Sequence, residues 1–162
     1  MLKYYNYDIV FQEIPNHTTL AINLTGCPFR CAGCHSPHLR EDIGEPLDKE
    51  VLLAVCKRYD GISCVCLMGG DANPGEVAAM GRFIKAGIGL KSAWYSGADE
   101  LPEGLTPRAL AESFDFVKLG SYREEAGGLK SPDTNQRLYA VEGGGETLRD
   151  ITPLFWQRPT DL

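Results

Sequence analysis

The stretch TLAINLTGCPFRCAGCHSPHL, residues 19–39, runs from a short apolar segment straight into three closely spaced cysteines. Its first part, Thr19–Leu24, has the length and composition of a buried strand and stops at Gly26. Cys27, Cys31 and Cys34 follow as a C-x3-C-x2-C triplet, with no fourth cysteine at ligand spacing. Three thiolates can hold three corners of a cubane iron–sulfur cluster and leave the fourth iron open to a small molecule. Electron-carrying clusters normally take four cysteines, whereas a metal centre that acts on a bound ligand keeps a position open. The triplet therefore predicts a catalytic cluster. The competing reading is a zinc knuckle completed by His35 or His38, since Cys and His at short spacing also bind zinc. Zinc knuckles usually split their ligands into two pairs across a loop or hairpin, so the cluster is the favoured reading.

Outward from this stretch, strand-like and helix-like segments alternate. Residues 62–68 read as a strand that ends in Gly69-Gly70-Asp71. Residues 89–95 form another that ends at Ser96-Gly97, and residues 114–119 a third that closes at Gly120. Between them, residues 47–59 carry apolar side chains at helical spacing, with Asp48 near the start as a cap. Residues 75–86 and 106–113 read as helices with Pro74 and Pro107 in their first turns. A Gly-rich loop over 124–131, a strand over 137–141 and a turn at Gly143–Gly145 complete the chain. Strands alternating with helices predict parallel βα units, and there are too few for a closed eight-stranded barrel. The expected fold is α/β, a partial (open) βα barrel of parallel strands in one domain. Residues 1–18 are read as an N-terminal extension packed on it, an extra strand or hairpin. In such sheets ligands gather at the carboxyl ends of the strands. The cysteine loop, Gly69-Gly70-Asp71, Ser96-Gly97 and Lys118-Leu119-Gly120 are all expected there.

Composition narrows the setting. The 162 residues include 43% hydrophobic and 23% charged side chains, ordinary for a globular domain. A net charge of −6 gives no general attraction to nucleic acid or to an anionic membrane. No apolar run approaches the length of a membrane span. The first residues lack the cationic start and apolar core of a signal peptide. Six cysteines without such a signal, three of them at cluster spacing, predict a reducing, cytoplasmic location. An open-iron cluster is oxygen-labile, which favours an anaerobic setting.

A C-x3-C-x2-C triplet directly after an apolar strand resembles the radical S-adenosylmethionine enzymes. Gly69-Gly70-Asp71 resembles the GGE-type segment of that superfamily, where backbone and acidic groups meet the methionine ammonium. Asp71 stands where Glu is more frequent and is one methylene shorter. Ala32-Gly33-Cys34-His35, with Gly33 where many members carry an aromatic residue, is similar to the activating proteins of anaerobic ribonucleotide reductases. So is Asn135-Gln136-Arg137 after a Gly/Ser-rich loop.

The resemblance implies one 4Fe–4S cluster on Cys27, Cys31 and Cys34. It implies S-adenosyl-L-methionine bordered by Gly33, Cys34, His35, Gly69, Gly70 and Asp71. The reaction it implies is reduction of the cluster by a low-potential donor such as flavodoxin, reductive cleavage of the sulfonium, and hydrogen abstraction from a glycine Cα of the partner by the deoxyadenosyl radical. The implied partner is the glycyl radical subunit of an anaerobic ribonucleoside-triphosphate reductase. Activation of another glycyl radical enzyme, and a zinc-binding interaction module, stay open as alternatives.

Other polar and sulfur residues are read more plainly. Lys118 is either a contact for a carboxylate of cofactor or partner, or an outward-facing solvated lysine, the latter favoured. Arg137 suits a planar carboxylate or partner backbone, and equally a solvated place on an edge strand. Cys64 and Cys66 face one side of a strand, are poorly placed for a disulfide, and read with Cys56 as core packing. His17 and His38 are loop residues with no assigned partner.

Overall fold

A computed structural model describes residues 1–28 and 37–156. Its centre is built from the apolar runs: β2 (Thr19–Leu24), β4 (Cys64–Met68), β5 (Lys91–Tyr95) and β6 (Phe116–Leu119). These pair in parallel in that order. The intervening helices are α1 (Lys49–Lys57), α2 (Pro74–Arg82) and α3 (Pro107–Ser113). Local chemistry sets their starts. The Asp48 carboxylate accepts the Val51 N–H at 2.8 Å, and the Thr106 hydroxyl oxygen accepts the Ala109 N–H at 3.1 Å. Pro74 and Pro107 occupy first-turn positions, where a missing N–H costs nothing. α2 continues into a π-helical segment, Phe83–Ile88, which stops at Gly89 in the left-handed region (φ 84°).

The expectation of parallel strands is corrected at both flanks. β1 (Lys3–Val10) runs antiparallel to β2, and β3 (Glu45–Pro46) antiparallel to β1. At the other side β7 (Arg137–Glu142) is antiparallel to β6, and β8 (Thr147–Asp150) antiparallel to β7. The result is an eight-stranded mixed sheet in the order β3-β1-β2-β4-β5-β6-β7-β8, open between its end strands. A parallel return needs a long crossover, usually a helix. Residues 120–136 contain none, so β7 comes back antiparallel. The Gly143–Gly145 turn then makes a short β7–β8 hairpin. Of the N-terminal segment, Lys3–Val10 is a strand built into the sheet between β3 and β2.

The pleat divides the central strands between two cores. On the helix-covered face Leu20, Ile22, Val65, Leu67, Trp94 and Val117 pack with side chains of the three helices, such as Leu52, Val77 and Leu110. On the opposite face Cys64, Cys66, Ala93 and Ala140 pack with Ile14 and Ile151. Strands covered on both faces read as continuous apolar runs, which is why these four were visible in the sequence. No helix among the described residues is long and apolar enough to cross a membrane.

Candidate active site at the carboxyl ends of the parallel strands

The chain leaves β2 through Thr25, Gly26 and Cys27, and this exit is tied to the segment on which the cysteine loop returns. The Gly26 N–H donates to the Glu41 carbonyl at 3.0 Å, and the Cys27 N–H to the Leu39 carbonyl at 2.9 Å. The Thr25 hydroxyl donates to the Ile43 carbonyl at 2.7 Å. Residues 28 and 37 are therefore two stems of one loop held at the end of β2. Cys27 is partly exposed at its mouth. Cys31, Gly33, Cys34 and His35 lie outside the described residues. Among the described residues no three His, Cys, Asp or Glu side chains are grouped to hold a metal, and Cys27 is the one expected ligand they include.

The β4 exit is next. The Gly69 N–H donates to the Tyr95 carbonyl at 2.9 Å, and the Trp94 indole N–H donates to the Gly69 carbonyl at 2.7 Å. Gly69 and Gly70 both take positive φ, 102° and 80°, a region that favours glycine. Gly70 has a second reason. A Cβ there would sit 2.5 Å from Val77 Cγ2 and 2.8 Å from Leu24 Cδ1. Packing of α2 and β2 thus requires a glycine at 70 without any ligand. The Asp71 carboxylate accepts the Ser96 hydroxyl at one oxygen and the Gly97 N–H, at 3.1 Å, at the other.

The strand register aligns a row of side chains across the sheet next to these loops. Asn23, Met68, Tyr95, Lys118 and Leu138 are successive partners on the face away from the helices. Lys118 is therefore inside, 8% exposed, and its ammonium donates to the Gly120 carbonyl at 3.3 Å and lies over the Tyr95 ring. The outward-facing, solvated reading of Lys118 is thus corrected: its parity in β6 turns it inward. The Tyr95 hydroxyl donates to the Glu13 carbonyl, and burial, with the nearby Cys66, Glu13 and Cys64 adding, holds this phenol well above its ordinary pKa. A cavity of about 470 Å³ opens here, lined by Gln12, Glu13, Tyr95, Tyr122, Leu129 and Gln136 among others.

The Asn135-Gln136-Arg137 element divides by position. The Asn135 amide donates to the Ser121 carbonyl at 2.9 Å, and the buried Gln136 amide donates to the Gly120 carbonyl at 3.4 Å. Gly120 has φ 111°, and a Cβ on it would meet Gln136 Cα at 2.9 Å, so the loop after β6 and the start of β7 touch. Arg137 turns away to its own chain's Asp150 at 3.6 Å, with its guanidinium over the Trp156 ring, 5.8 Å from the ring centroid.

Cys64 and Cys66 are completely buried. Burial pushes the Cys64 thiol up to about 12 and holds the Cys66 thiol well above its usual value. The reactive form is the thiolate, so both are packing residues at neutral pH. Burial likewise pushes the Cys56 thiol, on α1, up to about 11. His17 lies at the other end of the strands, Nδ1 2.7 Å from the Ser63 hydroxyl, and its pKa is lowered by burial and then by the Lys91 charge. His38 packs its ring against Tyr5 on the returning stem of the cysteine loop.

Tyr95 and the 12–13 segment carried no site role in the sequence, and Ser96 only a place in a loop at the carboxyl ends of the strands. Ser96 is a common turn residue, and only its position beside Asp71, 25 residues away in the chain, marks it. Tyr95 lies on a different strand from Cys64 and Cys66, and only the β4–β5 register sets it on their face of the sheet. No protein-family model, curated protein or solved structure matches this chain.

Proposed function

We propose that the chain is a small radical S-adenosylmethionine activase whose partner is an anaerobic ribonucleotide reductase. The observation that carries this reading is the place of the segments that flank residues 29–36. They leave and re-enter the fold at the carboxyl end of the first parallel strand, beside the rim formed by Gly69, Gly70 and Asp71. The donor set fits a cluster with one open iron: three thiolates at C-x3-C-x2-C, with Cys27 partly exposed where a small molecule has access. Cys27, Cys31 and Cys34 would hold the 4Fe–4S cluster, and Gly33, His35, Gly69, Gly70 and Asp71 would border the S-adenosylmethionine. When bound, cluster and cofactor together supply reductive sulfonium cleavage and hydrogen abstraction.

The residues of the chain itself bind and orient. The hydrogen bonds of Gly26 and Cys27 would keep the first ligand at the carboxyl end of β2. The bonds of Gly69 to Tyr95 and Trp94 hold the next loop in place. The sheet is open, and the cavity beside Tyr95 and Gln136 opens to the surface, so the described residues do not by themselves enclose a reacting site. Expelling water from such a site then falls to the partner, whose glycine-bearing segment supplies the missing wall. A reducing, cytoplasmic setting and a flavodoxin-like donor accompany this reading.

The test is anaerobic reconstitution with iron and sulfide, followed by electron paramagnetic resonance of the reduced protein with and without S-adenosylmethionine. A 4Fe–4S signal that changes on adding the cofactor supports the reading. One bound zinc and no cluster signal would sink it in favour of a zinc-binding module, for which His38 on the returning stem is a ready ligand.

A further inference from the structure

Asp71 has the residue type expected to meet an ammonium, yet both of its oxygens are turned toward the neighbouring loop. One accepts the Ser96 hydroxyl and the other the Gly97 N–H at 3.1 Å. Ser96 is fully buried, and its hydroxyl oxygen in turn accepts the Ala98 N–H at 3.0 Å. The bonds continue without a gap. The Ser96 N–H donates to the Lys118 carbonyl at 3.0 Å, and the Gly120 N–H donates to the Ala98 carbonyl at 2.7 Å. On the far side the Gly120 carbonyl accepts from both Gln136 and Lys118. One connected set of bonds therefore joins the exits of β4, β5 and β6 to the start of β7. Asp71 is its single anionic member at the β4 end, and hydrogen bonds to a charged group are the strong ones.

We propose that Asp71 is a positioning residue, a staple between the β4 and β5 loops, and that its carboxylate serves the neighbouring loop rather than a bound ligand. The identity of that ligand rests on the function proposed above; the staple itself does not. The same geometry accounts for the shorter acid at this position. Ser96 and Gly97 lie against the β4 loop, within the reach of an aspartate. A glutamate carries its carboxylate one methylene further and overshoots the Ser96–Gly97 pair.

Two measurements decide it. Amide hydrogen exchange by nuclear magnetic resonance on the purified chain, without ligand, reads the loop directly. Asp71→Asn and Ser96→Ala are each expected to raise the exchange of the Gly97 and Ala98 amides about tenfold. S-adenosylmethionine affinity of the cluster-loaded protein reads the consequence. Each variant is expected to weaken binding about tenfold, the double variant no further than either alone, and Asp71→Glu is expected to behave like Asp71→Asn. Unchanged exchange in both single variants would overturn the staple. So would Asp71→Glu binding like wild type while Ser96→Ala has no effect, since the carboxylate would then meet the ligand itself. If the wild-type protein binds no S-adenosylmethionine, the proposed function falls, and the exchange measurement alone upholds or overturns the staple.

Discussion

Replacing Gly70 by alanine asks whether this glycine serves the core or a ligand, and the core answer has a magnitude. At φ 80° an L-residue is strained, which costs about 1–2 kcal/mol. The new methyl would also lie 2.5 Å from Val77 Cγ2 and 2.8 Å from Leu24 Cδ1. Val77 is 0% exposed and Leu24 1%, so neither has room to retreat. Overpacking of this kind costs about 1–3 kcal/mol. The sum is about 2–5 kcal/mol, a large part of the roughly 5–15 kcal/mol that holds a domain together. Gly69→Ala is the control. It shares the backbone strain (φ 102°), but its Cβ would approach nothing closer than 3.4 Å, so it is expected to lose only about 1–2 kcal/mol.

Urea unfolding of the chain without iron or cofactor separates the two variants as a drop in midpoint at unchanged slope. Adding Val77→Ala to Gly70→Ala removes the nearest clashing atom. The double variant should therefore be less destabilised than the sum of the singles by about 1 kcal/mol or more. If Gly70→Ala costs no more than Gly69→Ala, and shows no coupling to Val77, the packing account of Gly70 is wrong.

Four further outcomes are expected. Tyr95→Phe removes the hydroxyl that donates to the Glu13 carbonyl; stability should fall by about 1 kcal/mol and limited proteolysis within residues 11–18 should quicken, whereas unchanged cleavage would argue against the tether. The His17 pKa lies below 6.5 in the folded chain, so unfolding takes up a proton as pH falls. Its contribution to stability is accordingly complete above about pH 6.5 and is lost between there and the lower folded value; His17→Gln should flatten that part of a stability–pH curve, and an identical curve would refute the assignment. Cys27→Ser should bring reconstituted iron to background while circular dichroism stays unchanged, because main-chain bonds hold the stem; full iron loading would remove Cys27 from the ligand set. Finally, on the function proposed above, S-adenosylmethionine cleavage should be slow in the isolated protein and accelerate with the proposed partner reductase. Equal rates would refute the idea that the partner completes the site.

Much of the fold was legible because its signals are local. Asp48 caps α1 within one helical turn and could be read from its neighbours alone; Thr106, read as the first residue of its helix, is the cap of α3. The central strands are covered on both faces and spell largely apolar runs. β8 was missed because TLRD is an exposed edge with no apolar alternation, and β3 is two residues long. The antiparallel flanks were missed because strand direction depends on the connection. A Gly-rich loop in place of a crossover helix reads only as a loop.

Within the candidate site, residue types, spacing and place along the chain carried the cysteine triplet and the four loops expected at one end of the sheet. These follow from thiolate chemistry and from the alternation of strands and helices, both properties of short segments. Tertiary structure alone decided how the side chains at those loops are used. Lys118 faces inward because β6 pairs in a register that sets it beside Tyr95. Gly70 is required by Val77 and Leu24, on different elements. Asp71 is committed to Ser96 and Gly97, whose loop is brought beside it by the β4–β5 pairing. Each depends on contacts between segments far apart in the chain, which exist only once the strands have paired and the helices have closed over them.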